Sequence, residues 1–165
     1  MPELFYHDAL RALSQAGARF VVVGGVAVNL QGVPRPTADL DIAIELSAEN
    51  VRAVADAFMG IGLRPRLPEP PERLAEPDTL RDWVENRNLK AYTFQDPNNP
   101  LRNADILVSS PVPYEELERT ADVIEALGLR VRIASISALL RMKAVAGREQ
   151  DLADIDALER ILKDE

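Results

Sequence analysis

Three aspartates carry the strongest chemical signal in this chain. Asp39 and Asp41 stand in Asp39-Leu40-Asp41-Ile42-Ala43-Ile44, where carboxylates alternate with apolar residues. Successive side chains of a strand face opposite ways. Asp39 and Asp41 therefore share one face, roughly 7 Å apart, while Leu40, Ile42 and Ile44 point into a core. Asp105 lies in the apolar run Ala104-Asp105-Ile106-Leu107-Val108. A carboxylate buried there is costly unless it is hydrogen-bonded, paired with a base such as Arg102, or bound to metal. Three clustered anions repel one another unless cations or bases compensate them. Hard divalent cations prefer oxygen ligands and are often shared with substrate phosphates, so they suit this set.

Composition narrows the metal. The chain has no cysteine and a single histidine, His7, which leaves no thiolate or His-rich zinc site. Oxygen ligation favours magnesium, manganese or calcium. A net charge of −8 argues against a protein that coats long nucleic acid. Basic residues still cluster at Arg64, Arg66, Arg73 and Arg81, and again at Arg130, Arg132, Arg141, Lys143 and Arg148. A small nucleic-acid acceptor, such as one tRNA end, stays open. No apolar run is long enough to cross a bilayer, and the start carries no basic leader, so a cytoplasmic protein with no membrane partner is expected. With 165 residues, 47% of them hydrophobic, one domain with a real core is expected.

The elements that must position the aspartates can be read around them. Residues 3 to 16 have helical spacing and end at Gly17. Phe20 to Val23 reads as a buried strand. Gly24-Gly25 lets backbone approach a ligand closely and opens a short helix to Gln31. Gly32-Val33-Pro34-Arg35-Pro36 is a rigid loop because its prolines fix the backbone. Arg35 and Thr37 can steady the aspartates that follow, although loop solubility also accounts for them. Asp39 to Glu45 is the second strand. Ser47 is a candidate N-cap for a helix with Val51, Val54, Ala55 and Phe58 on its buried stripe. Residues 63 to 77, rich in proline, read as a strand remnant and an extended loop, either a lid or a surface insertion. A short helix over 78–86 follows, with Trp83 read mainly as packing, and then a hairpin over 89–108. Pro113 to Leu127 is expected to be helical, Leu129 to Ala134 a short strand, and Ile136 to Ala146 a helix broken by Gly147. The last helix runs from Arg148 to Lys163, with Leu152, Ile155, Leu158 or Glu159, and Leu162 marking its buried side. Alternating strands and helices with an included hairpin predict an α/β (α+β) fold: a mixed sheet flanked by helices, with a helical C-terminus.

Gly24-Gly25, thirteen intervening residues and Asp39-Leu40-Asp41-Ile42 together resemble the signature of the DNA polymerase beta-type nucleotidyltransferase superfamily. Asp105 matches its third carboxylate. Lys143, Arg148 and Asp151-Leu152-Ala153-Asp154-Ile155 are similar to a second motif, found in the AbiEii-like branch of small nucleotidyltransferases. The resemblance covers about residues 20 to 158. It implies one nucleotidyltransferase-like domain over 1–165, with the core sheet and its two motifs in 1–112 and a mainly helical part in 113–165.

The resemblance further implies transfer of a nucleoside monophosphate from an NTP, ATP among them, to a hydroxyl acceptor. Candidate acceptors are a tRNA end, a protein side chain or a small molecule such as an aminoglycoside. Asp39, Asp41 and Asp105 would be the catalytic and metal-binding residues, with Mg2+ or Mn2+ as cofactor. Asp105 would also help remove the acceptor's proton. Gly24 and Gly25 would cradle phosphate, and Lys143 would offer it a point charge. Arg35, Thr37, Arg148, Asp151 and Asp154 would complete the nucleotide site, although Asp151 and Asp154 can equally pair with Arg148 or Arg141 on a helix face. A toxin or defence role with an antitoxin partner is a further implication. The alternative is a catalytically inactive nucleotide-sensing or interaction module on the same fold.

Overall fold

The computed structural model describes residues 2–37, 39–126 and 128–164. Helix α1 spans Pro2–Gln15 and leads into strand β1, Phe20–Val23, whose four residues are all buried. Helix α2, Gly24–Leu30, starts directly at the end of β1, and strand β2, Asp39–Ile44, returns beside β1 in antiparallel register. Helix α3, Ala48–Gly60, begins where Ser47 Oγ accepts a hydrogen bond from the Asn50 amide at 3.2 Å, the expected N-cap. Its predicted stripe is fully buried: Val51, Val54, Ala55 and Phe58 are at most 1% exposed.

The proline-rich stretch is anchored to the sheet. It contributes the two-residue edge strand β3, Arg64–Pro65, and a 3-10 turn, Pro71–Ala75, that buries Leu74. Tyr92 donates its hydroxyl proton to the Glu69 carbonyl at 2.6 Å, and Arg87 pairs with the Glu69 carboxylate. A short, proline-containing edge is one way to keep a sheet from pairing with other chains. Helix α4, Pro77–Asn86, places Trp83 against Tyr92 with ring centroids 6.3 Å apart, as packing. Strands β4, Ala91–Asp96, and β5, Asn99–Leu107, form the predicted hairpin, with β5 starting earlier than its apolar run suggests.

The C-terminal part departs from expectation after Pro113. A helix over 113–127 is not what forms. Helix α5 covers only Tyr114–Thr120, and strand β6, Asp122–Ala126, follows it; Leu127 itself lies outside the described residues. β6 pairs antiparallel with β7, Leu129–Ile133, around Gly128, whose φ of +79° suits a tight reversal. Val123 and Ile124 are β-branched, and the neighbouring strand supplies a partner that a local helical reading cannot see. Helix α6, Ile136–Ala146, ends at Gly147 in the left-handed conformation, and α7 spans Glu149–Asp164.

One seven-stranded sheet results, in the order β3-β4-β5-β2-β1-β7-β6. It is mixed as expected: β2 runs parallel to β5 and β1 parallel to β7, while the other neighbours are antiparallel. The buried side of α7 differs from its apolar pattern. Leu152 and Leu162 are 61% and 44% exposed, whereas Asp151 and Asp154 are buried together with Leu158. Charge pairing at the sheet end has overridden hydrophobic periodicity there. Among the described residues no helix is long and apolar enough to cross a membrane.

Candidate active site

Sheet register assembles the three aspartates. In the parallel β2–β5 pair, Asp41 stands opposite Asp105 and Asp39 opposite Asn103. The next strand puts Thr93 opposite Asp105, and the Thr93 hydroxyl donates to Asp105 Oδ1 at 2.6 Å. Arg102, a candidate partner for Asp105, pairs with Asp96 at 3.2 Å. Leu40, Ile42 and Ile44 fill the opposite face, each at most 3% exposed. Burial pushes the Asp41 carboxyl up to about 8, aided by the charge of Asp105, a hydrogen bond with it and the charge of Asp39. Burial also raises Asp39, and Asp105 adds to this, while a hydrogen bond from Asn103 Nδ2 at 3.3 Å opposes it.

The glycine turn makes room for this cluster. Gly24 has φ +65°, and a Cβ built on it would lie 2.2 Å from Asp41 Oδ2. A Cβ on Gly25 would lie 2.9 Å from Thr37 Oγ1. The two glycines thus let the β1–α2 turn sit directly against the aspartate strand and the loop before it. That loop is pinned from α2: Asn29 Nδ2 donates to the Arg35 carbonyl at 2.9 Å, and the Arg35 amide donates back to Asn29 Oδ1 at 3.4 Å. Thr37 Oγ1 donates to the Asp39 carbonyl at 3.4 Å.

A chain of alternating charges faces the carboxylates. Lys143, on α6, is 7% exposed and reaches Asp154 at 2.7 Å and Asp151 at 3.3 Å on α7. Asp154 also pairs with Arg35 at 2.5 Å, which ties the proline loop to the last helix. Asp151 accepts from the Arg148 backbone amide at 3.1 Å and from its Nε at 2.8 Å. Burial alone would raise Asp151, but the bonds from Arg148 and Lys143 outweigh it and leave the carboxyl below its usual range. Arg148 is held above its usual range by the hydrogen bond and charge of Asp151. Its side chain remains 77% exposed, so it is the most accessible cation of the chain of charges.

Between these walls lies a cavity of about 270 Å³, lined by Gly24, Gly25, Arg35, Thr37, Asp39, Asp41, Lys143, Arg148, Gln150 and Asp151. Asp105 and Asp154 stand behind it, each bonded to lining or neighbouring groups as described. Gln150 is a lining residue without a distinctive sequence signal; its amide donates to Asp154 Oδ1 at 3.2 Å. Asn103 was readable in principle, because it lies two residues before Asp105 and so shares its strand face.

Among the described residues, no three His, Cys, Asp or Glu side chains already converge closely enough to cage a metal ion. The donor chemistry at Asp39, Asp41 and Asp105 is nonetheless all oxygen. The Asp41 and Asp105 carboxyls face each other across the β2–β5 ladder. A hard cation held between them would relieve the repulsion of two like charges.

No protein-family profile and no curated protein sequence matches the chain. Solved structures do. The antibiotic-resistance factor ANT(2'')-Ia in solution is 13% identical with a TM-score of 0.62, over 98% of this chain and 86% of that one. The same factor in complex with adenylyl-2''-tobramycin is 15% identical with a TM-score of 0.61, over 96% and 88%. A Thermotoga maritima protein, provisionally described as a nucleotidyltransferase, is 15% identical with a TM-score of 0.57, over 100% and 97%. At these identities the likeness is one of fold: the chain has the nucleotidyltransferase fold over nearly its whole length.

Proposed function

We propose that the protein is a metal-dependent nucleotidyltransferase that moves a nucleoside monophosphate from an NTP to a hydroxyl acceptor. One observation carries the reading. Strand register brings Asp39, Asp41 and Asp105 to one sheet face, and Asp39 and Asp41 of that face share one cavity with the basic residues Arg35, Lys143 and Arg148. The carboxylates would hold Mg2+ or Mn2+, which when bound neutralises charge developing on the transferring phosphoryl group. Asp39 and Asp41 line the cavity and present oxygen to it directly. Asp105, which accepts a hydrogen bond from Thr93 and faces Asp41 across the ladder, would receive a proton from an incoming hydroxyl. Gly24 and Gly25 line the cavity with backbone, against which the triphosphate would lie. Arg148 supplies the accessible positive charge. Lys143 does so only partly, because its ammonium is hydrogen-bonded to Asp151 and ion-paired with Asp154. This makes Lys143 first a counter-ion for α7 and second a phosphate contact.

A tRNA end, a protein side chain and an aminoglycoside-like small molecule are the candidate acceptors. The Lys143, Arg148, Asp151 and Asp154 pattern supports an AbiEii-like branch, and with it a toxin or defence role silenced by an antitoxin. Co-expression with the product of a neighbouring reading frame, scored by relief of growth arrest, tests that role. For the chemistry itself, purified protein with Mg2+ and each labelled NTP should label a component of a cell extract. Asp39→Ala and Asp41→Ala should each abolish labelling, and labelling that survives both defeats the proposal. Nucleotide binding without turnover and without Mg2+ dependence assigns the chain to the inactive, nucleotide-sensing alternative.

A further inference from the structure

Asn103 occupies the position across the β2–β5 ladder from Asp39, one pleat along from the Asp41–Asp105 pair. Its side-chain amide nitrogen is engaged twice, donating to Asp39 Oδ1 at 3.3 Å and to the Pro100 carbonyl at 2.9 Å. Turning the amide over would face its oxygen toward those two acceptors, so the bonds themselves set its orientation. The oxygen, Oδ1, is buried and has no hydrogen-bond partner. Proteins rarely leave a buried acceptor unpaired, because it has lost water and gained nothing in return. A residue that served only the fold would not be chosen for this spot. An apolar side chain of similar shape would remove the orphan oxygen, together with both N–H bonds. What asparagine adds is the pair of N–H bonds, one of which grips the Asp39 carboxylate.

We propose that Asn103 is a positioning residue that aims the Asp39 carboxylate at the cation, with Pro100 anchoring the amide from its far side. The inference rests on the metal-dependent reading above and extends it to a residue that no motif points to. Groups that orient metal ligands typically change metal affinity by ten- to a hundredfold when removed. The effects on the fold oppose one another: an apolar residue removes the orphan oxygen but also the N–H bonds to Asp39 and the Pro100 carbonyl, so stability should stay close to wild type.

The test is Mn2+ binding to the intact protein by electron paramagnetic resonance, alongside urea denaturation in EDTA, for wild type, Asn103→Leu and Asn103→Ala. Both variants should bind Mn2+ about tenfold or more weakly. Asn103→Leu should unfold at a urea concentration close to that of wild type. Variants that bind Mn2+ as tightly as wild type overturn the inference while leaving the metal reading intact. A midpoint for Asn103→Leu well below wild type also overturns it, because Asn103 would then serve the fold. Wild-type protein that takes up no Mn2+ defeats the metal reading itself, and this inference with it.

Discussion

Replacing Lys143 with methionine removes the ammonium on which two buried carboxylates converge. The side chains of Lys143, Asp151 and Asp154 are 9%, 1% and 3% exposed, so water screens them little. Removing one partner of such a buried pair typically costs about 3–5 kcal/mol, because a charge is left behind without its counter-ion. Here each aspartate keeps an arginine: Asp154 has Arg35 at 2.5 Å, and Asp151 has Arg148 Nε at 2.8 Å together with a backbone amide. The expected loss is therefore toward the lower end, about 2–4 kcal/mol, against a total of about 5–15 kcal/mol for a typical domain. For a chain of this size that corresponds to a fall of roughly 4–16 °C in Tm. Urea denaturation of Lys143→Met, Asp154→Asn and the double variant measures it. The double variant should be less destabilised than the sum of the singles by about 0.5–3 kcal/mol, since Asp154→Asn removes the charge that Lys143 compensates. Lys143→Met within about 0.5 kcal/mol of wild type, or a cycle that adds without coupling, refutes the counter-ion role.

The remaining predictions concern the carboxylates, the glycine turn and the last helix. Asp41 is held at about 8 in the fold against 3.8 for a free carboxyl, so the metal-free protein has Asp41's full contribution below about pH 4 and loses it as pH rises to about 8. Urea midpoints in EDTA should fall across that window; Mg2+ should restore them at the alkaline end, and Asp41→Asn should flatten the profile. Gly24→Ala combines a left-handed backbone with a Cβ 2.2 Å from Asp41 Oδ2, and should cost more than about 1 kcal/mol and abolish nucleotide labelling; labelling at wild-type rate argues against the close packing. Leu152→Gln should leave the denaturation midpoint within about 0.5 kcal/mol of wild type, whereas Leu158→Ala should lower stability by about 2–5 kcal/mol, the reverse of equal burial along that stripe.

Much of the site was legible in sequence for a local reason. Alternation along a strand is a period of two, and it alone puts Asp39 with Asp41 and buries Leu40, Ile42 and Ile44 behind them. The same alternation places Asn103 with Asp105, although an amide draws less notice than a carboxylate. Gly24-Gly25 marked a turn that tolerates no side chains. The reason could not be read: Asp41 and Thr37 come back against it from elsewhere in the chain. Local patterns also located α1, α3, the hairpin and the cap at Gly147, each of which depends on residues close together in sequence.

Elsewhere partners distant in sequence made the decision. β6 is a strand because β7 lies beside it, and its β-branched Val123 and Ile124 suit that ladder better than a continued helix. On α7 the apolar pattern pointed to Leu152 and Leu162, yet the fold buries Asp151 and Asp154 because Lys143 and Arg35 wait for them there. Composition and spacing alone limited the carboxylate cluster to oxygen ligands, which suit hard cations, and named the residues eligible for it. Tertiary structure decided that Asp105 faces Asp41, that Lys143 is bound up by two aspartates while Arg148 stays open, and that Asn103 grips Asp39. Those relations depend on strand register and helix docking, and electrostatic pairing between segments far apart in the chain leaves no periodic trace in sequence.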